Sequence, residues 1–441
     1  MKTRSATAII GANFGDEGKG LAVDAMIGRN PDAAVIRFNG GAQAGHTVVS
    51  PDGRRHVFSH FGAGSFRGAA TFLSRFFVVQ PHLFALESAE LAAAGLRPRV
   101  YIDPDAQVTT PFDVFINRWL EEARAGARHG SVGVGFGETL ERAGRGHPLT
   151  VRDLGDDRTV METLHRIRDA WLPSRLASLG VPFTAERRNA AADPAVVRRY
   201  VAKIDVLRNS TTPAPIDAVL TRPNLVFEGA QGLLLDMDRG LKFPHVTRSN
   251  TGLRNVLALA ADAGIGNLDV VYMTRAYLTR HGAGPLPNEV PRLAFADVVD
   301  PTNLSNSWQG ALRFAPLDLD LLLATIADDL GDAAAAGIKV DAGVGVTCVD
   351  QVRHSAEVVA SGIRTAIPKS RLARQIAAAV GLPLRLEAHG PRLSAADLVS
   401  AAAEATPAHP GPHPAEPAAV RPPGKSRTQP DPARSDTRQC V

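Results

Sequence analysis

Apolar residues fall in short runs along this chain, and stretches of mixed periodicity separate them. Runs at 8–10 and 33–38 ("AAVIRF") flank a glycine-rich turn and a helix-like stretch over 21–27. That order predicts a βαβ opening. Further runs at 76–79, 100–102, 225–227, 268–273 and 344–349 alternate with helix-like segments such as 113–124 and 255–263. Strands alternating with helices predict an α/β fold, a large and mostly parallel central sheet with helices on both faces. From about residue 401 the pattern stops. The segment "TPAHPGPHPAEPAAVRPPGKSRTQPDPARSD" is rich in proline, lacks apolar periodicity and cannot bury enough surface to order itself. The folded part is therefore expected over 1–400, with 401–441 a disordered, Pro-rich tail.

Composition narrows the picture only a little. With 441 residues, one elaborated domain or two both fit the limit on a single core. An apolar content of 44% and a mean hydropathy of -0.05 are those of a folding, water-soluble chain. The net charge of +4 is small for this length, so nothing calls for nucleic acid. No apolar stretch approaches a membrane span. The two cysteines, Cys348 and Cys440, offer neither metal-ligand spacing nor a disulfide framework. A reducing compartment, the cytoplasm, is the expectation.

The candidate chemistry sits in two glycine loops. The first reads Gly11-Ala12-Asn13-Phe14-Gly15-Asp16-Glu17-Gly18-Lys19-Gly20. It matches neither standard phosphate loop, because Asn13 stands at the first glycine of a Walker loop and Gly20 at its hydroxyl residue, and the spacing is not GxGxxG. Gly15, Gly18 and Gly20 still let backbone N–H groups approach a phosphate where the next helix starts, and Lys19 adds positive charge. Asp16 would repel that anion unless it binds a metal or takes a proton from the reacting substrate; otherwise it caps the helix. The second loop, "RFNGGAQAGHTVV" over 37–49, can bring His46 against phosphate oxygens, although a loop histidine is more often a structural donor.

These residues resemble adenylosuccinate synthetase, the GTP-dependent ligase of purine synthesis. The family opens with Gly-Asp-Glu-Gly-Lys-Gly and then Gly-Gly-x-x-Ala-Gly-His-Thr, and the chain has both, at 15–20 and 40–47. "FEGAQGLLLDMDRG" (227–240), "VTRSNTG" (246–252), "TRHGAGPLPNE" (279–289), "TCVD" (347–350) and "HGP" (389–391) follow in order, so the resemblance covers nearly all of residues 5–400. It implies a P-loop-related α/β catalytic domain working as a homodimer. Asp16 would be the general base on N1 of IMP and a Mg²⁺ ligand, with Gly45 a backbone ligand to the same ion. His46 would stabilise the γ-phosphoryl group of GTP, and Lys19 would hold phosphate. O6 attacks that phosphoryl group, and an amino group, from L-aspartate in the family, displaces phosphate at C6. The implied nucleotide contacts are Gly15, Glu17, Gly18, Lys19, Gly20, Gln43, Gly45, Thr47, Ser131, Gln231, Thr247, Arg313 and Asp350, the last reading guanine.

The chain also departs from the family. Cys348 replaces the lysine of Lys-x-Asp, which removes its packing over the base. The family's Thr-Thr-Gly-Arg-Arg-Arg-Arg loop grips the carboxylates of L-aspartate, but "NLSNSWQGALRFAPLD" (303–318) carries only Arg313. Trp308, Gln309, Gly310, Ala311 and Leu312 cannot grip a dicarboxylate bidentately. In "HGSVGVGFGE" (129–138), Ser131 and Val132 meet two family threonines and Val134 an arginine. A neighbouring-subunit arginine of the family falls at Gly146, beside Arg145. Three readings stay open: the ordinary reaction of IMP with aspartate; a paralogue of secondary metabolism with another amine donor or purine-like acceptor; and a non-catalytic nucleotide-binding regulator. The joint presence of Asp16, Lys19 and His46 speaks against the third.

Overall fold

The computed structural model describes residues 4–29, 32–50, 52–125, 129–239, 244–303, 310–393 and 397–398. The Pro-rich segment 401–441 and residues 304–309, with Trp308 and Gln309, lie outside the described residues. In chain order the described strands are β1 (Arg4–Gly11), β2 (Ala33–Arg37), β3 (His46–Val49), β4 (Arg55–Phe58), β5 (Ala70–Leu73), β6 (Val100–Ile102), β7 (Thr212–Pro213), β8 (Asn224–Glu228), β9 (Ile265–Arg275), β10 (Tyr277–Arg280), β11 (Arg313–Asp318), β12 (Lys339–Thr347), β13 (Ser355–Ala360), β14 (Ile363–Pro368) and β15 (Leu384–Glu387).

Nine of them build one sheet in the order β15-β12-β9-β1-β8-β2-β5-β6-β7, and every neighbouring pair is parallel. A parallel sheet needs both faces covered, and its strands accordingly read as continuous apolar runs. All five residues of β2 are buried. Alternate residues serve opposite cores. Ala8, Ile10, Ile36, Phe72 and Phe227 pack with the helices Leu253–Asp262 and Leu319–Ala336, while Ile9, Val35, Leu73 and Val271 pack with Lys19–Arg29, Pro81–Ala93 and Pro111–Arg124. β10, β11, β13 and β14 form a second, mixed sheet, and β3 pairs with β4 as an antiparallel hairpin.

One expected strand is corrected. The run 76–79 is a turn closed by the Phe77 amide on the Ser74 carbonyl, followed by isolated bridges from Val78 to Gly41 and from Val79 to Val108. The strand is β5, just before it. Phe77 and Val79 are fully buried all the same, so the apolar run marks core contact rather than sheet pairing. Among the described residues no helix is long and apolar enough to cross a membrane.

The sheet positions the site. β1 leads through the helix Lys19–Arg29 to β2, yet β8 lies between β1 and β2. The loops leaving the carboxyl ends of β1, β2, β8 and β9 therefore converge above the centre of the sheet, where open α/β folds bind ligands.

Candidate active site

The loop after β1 settles the division of labour between its two acids. Glu17 is buried, and one carboxylate oxygen accepts from the amides of Asn13 (3.1 Å) and Gly15 (2.7 Å) while the other pairs with Lys19 Nζ at 2.7 Å. The Glu17 carboxylate thus holds the loop's own shape, and the Gly15 amide is committed to it. What remains for an anion is the start of the helix Lys19–Arg29, whose first amides have no intrahelical partner. Gly20 has no hydroxyl to offer, but a Cβ there would lie 2.7 Å from the Cβ of His46. The glycine is what lets the second loop close on the first.

Asp16 has a different environment. Its φ of 61° is unusual for a residue with a side chain, and the Arg275 Nε–H holds it there by donating to the Asp16 carbonyl at 2.5 Å. Its carboxylate accepts no hydrogen bond among the described residues, so it does not cap the helix. The His281 imidazole lies beside it, with Nε2 3.6 Å from Oδ2.

His46 begins β3 and is buried, with Nδ1 2.5 Å from Glu228 Oε1 at the end of β8. Burial pushes the imidazole below its ordinary pKa, and Arg37 and Lys19 add to that, while Glu228 opposes it. Burial alone would raise the Glu228 carboxyl. His46, Arg37 (Nε 3.9 Å from Oε2) and the Ala63 amide (3.1 Å) hold it low instead. The pair is therefore a neutral imidazole whose Nδ1–H donates to an ionised carboxylate. That fixes the tautomer and leaves Nε2 to meet a phosphate or its proton.

The two loops enclose a cavity of about 390 Å³, which Gly15, Asp16, Glu17, Gly18, Lys19, Gly20, Gln43, Gly45, His46, Thr47 and Gln231 all line. Ser131 and Thr247 line an adjoining cavity of about 440 Å³, which shares Gln43, Val132, Gln231 and Leu235 with the first. Gln43 joins them with buried amide atoms, and its nitrogen and oxygen both lack a partner among the described residues. A buried orphan amide between two cavities is poised for a ligand. Gln231 adds a second positive φ, 65°, at the same junction. Two other candidates are not brought in. Arg313 pairs with Glu289 and donates to the carbonyls of Gly282 and Gly284, and Asp350 is exposed after β12, its carbonyl accepting from Lys369 Nζ at 3.0 Å.

Sequence reasoning missed Glu228, Arg275, His281 and Asp300. Glu228 lay within a quoted motif, but in a strand an acid carries no signal of its partner. Arg275 Nη2 reaches Asp300 Oδ2 at 2.9 Å across 25 residues, a pairing that only the fold reveals.

Comparisons with known proteins bear on the family and the fold. The family model described as adenylosuccinate synthetase matches residues 8–303. The adenylosuccinate synthetase of Burkholderia pseudomallei (strain 668) is 33% identical over 292 residues, 64% of this chain and 62% of that protein. Adenylosuccinate synthetase 1 of Cupriavidus pinatubonensis is 33% identical over 289 residues, with the same coverage. The chain thus spans about three fifths of the length of the curated relatives it matches. Among solved structures, the fully ligated adenylosuccinate synthetase of Plasmodium falciparum shares the fold at a TM-score of 0.66 and 19% identity, over 88% of this chain and 98% of that one. A cyanophage S-2L succinoaminodeoxyadenylate synthetase, bound to dGMP and to dATP as an energy donor, aligns at a TM-score of 0.58 and 17% identity, over 90% of this chain and 95% of that one. With its all-parallel sheet, its paired glycine loops and a family match over two thirds of its length, the chain belongs to the adenylosuccinate synthetase family.

Proposed function

We propose that this protein is a GTP- and Mg²⁺-dependent ligase that joins an amine to C6 of a 6-oxopurine nucleotide, IMP in the family. One observation carries the reading: Asp16, whose carboxylate accepts no hydrogen bond among the described residues, lines the same cavity as Lys19, a helix N-terminus and His46, which Glu228 holds from behind. An amide-like oxygen is a poor nucleophile and a poor leaving group, and phosphorylation of O6 repairs both defects. Asp16 takes the N1 proton as O6 attacks the γ-phosphoryl group. The amides at the start of the helix Lys19–Arg29 and the Lys19 ammonium face the transferring phosphoryl group, and His46 Nε2 meets its developing charge. Gln43, Gln231, Ser131 and Thr247, around the adjoining cavity, orient the purine nucleotide.

The donor set fits magnesium. Asp16 offers a free carboxylate and Gly45 a backbone carbonyl at one cavity, the hard oxygen ligands that Mg²⁺ combines with phosphate oxygens and water. When bound, the ion would neutralise charge on the nucleotide phosphates. We further propose a cytoplasmic homodimer, as in the family reading.

A second reading concerns the energy donor. Asp350, the residue aligned with guanine recognition, is exposed and lines neither cavity, and Cys348 stands where the family has lysine. An adenine nucleotide in place of GTP, as the cyanophage protein has dATP for its energy donor, fits that loss of base reading.

The test is IMP-dependent release of GDP or ADP by purified protein with Mg²⁺. Asp16→Asn should lower it by roughly 10³-fold while leaving thermal unfolding in place. Equal rates for the wild type and Asp16→Asn would overturn the assignment of the base.

A further inference from the structure

Next to the catalytic cavity lies a hollow of about 660 Å³, and the two share Asp300 and Asn303. The match to the family model ends at Asn303, so of the lining only Ala311, Leu312, Phe314 and Arg353 lie beyond it. The apolar part of the lining is built from Leu293, Ala296 and Val299 on the matched side and from Leu312 and Phe314 beyond it. Val299 is 69% exposed, a high value for a branched apolar residue that lines a hollow rather than a flat face.

The charges around it are spoken for. Asp297 pairs with Arg353 at the exposed rim (2.5 Å), and Asp300 with Arg275 (2.9 Å). On the catalytic side Lys19 is tied to Glu17, and Arg313 is tied to Glu289. Residues 303–312 contain no lysine or arginine. Among the described residues of the hollow only Arg292, on the exposed rim, is a cation without an ion-pair partner, enough for one carboxylate and not for two. A second carboxylate brought into this hollow would meet no second unpaired cation among the described residues that line it.

We propose that the hollow receives the substituent of the amine donor, and that the donor is an amine with an apolar side chain, an amino acid or an alkylamine, rather than a dicarboxylate. The proposal rests on the ligase reading and names the substrate class of its second step. In that step the neutral amine nitrogen forms a bond to C6. The C6–O6 bond breaks with its electron pair leaving on phosphate, and the amine proton ends on that phosphate. No oxidant or further reactant is needed.

The experiment uses the full chain with GTP, Mg²⁺ and IMP. It compares ethylamine through pentylamine, L-norvaline and L-aspartate, following phosphate release and the mass of the nucleotide product. The expected result is a kcat/KM that rises about fourfold per added methylene. L-aspartate should lie at least about a hundredfold below L-norvaline. Norvaline and butylamine differ only in the carboxylate, so a preference for norvaline that disappears in Arg292→Ala assigns the amino-acid source, and equal use assigns the alkylamine. Leu312→Arg should weaken the chain-length dependence and raise the use of aspartate. Aspartate preferred over norvaline in the wild type, or rates indifferent to chain length, would overturn the proposal alone. Absence of IMP-dependent GDP formation in a single turnover without amine would instead remove the ligase reading, and this proposal with it.

Discussion

At the scale of single residues, the site depends on which groups are paired and which are not. Glu17 and Glu228 are both buried acids, and each has a structural claim on its oxygens, whereas the Asp16 carboxylate accepts no hydrogen bond among the described residues and has His281 Nε2 nearby. His46→Gln should lower kcat by about a hundredfold while KM changes little, because the role proposed for it is with developing charge rather than with bound substrate. Glu228→Gln removes the counter-charge of Arg37, which is fully buried, and should cost roughly 3–5 kcal/mol of stability in urea unfolding. The pH dependence has a definite sign. The folded state resists protonating His46, whereas the unfolded chain takes that proton near about 6.5. The stability contributed by neutral His46 is therefore complete above that value and is lost as pH falls below it. Glu228, also held low, acts in the same direction at lower pH, above the carboxylate range and lost beneath it. The urea midpoint should be lower at pH 5.5 than at pH 7.5, and His46→Gln should narrow that difference. An unchanged difference would mean that the imidazole is not held neutral.

At the scale of elements, the site is a junction of loops whose fit depends on missing side chains. A Cβ on Gly232 would lie 2.3 Å from the Asn13 carbonyl oxygen, so the loop after β8 and the loop after β1 can touch only through glycine. Gly232→Ala should therefore destabilise by about 1–3 kcal/mol and disturb Gln231, at the junction of the two cavities. Thermal unfolding and KM for IMP would report the two effects separately; a variant unaltered in both would contradict the close packing. Most of these elements could be read from the chain. The helix predicted over 113–124 forms as Pro111–Arg124, where Thr110 and Asp113 make a reciprocal capping box, and the runs at 100–102, 225–227 and 268–273 are strands or lie within them. The run 76–79 misled because buried irregular backbone and a buried strand show the same apolar pattern. The acid–base pair was half legible. His46 stands in a glycine loop, which marks it, while Glu228 stands in a strand and is identified only by what lies 2.5 Å away.

At the scale of the whole molecule, the family match covers the cavity of the glycine loops completely and the hollow beside it only in part. The two glycine loops, and the cavity they line, lie within the residues that match the family model, and they bring Asp16, Lys19, His46 and the start of the helix Lys19–Arg29 together. The third hollow takes most of its lining from matched residues, and the missing arginines, legible in sequence as an absence, acquire a meaning when Ala311 and Leu312, beyond the match, are seen to line it beside Leu293 and Ala296. The central claim is that O6 of the purine becomes the leaving oxygen of phosphate. The measurement that tests it most directly uses IMP labelled with ¹⁸O at O6, with the best amine of the panel, and follows the label by mass spectrometry of the released phosphate. The account predicts one ¹⁸O in each phosphate formed and none in the product base. Unlabelled phosphate, with the heavy oxygen retained on the purine, would contradict it.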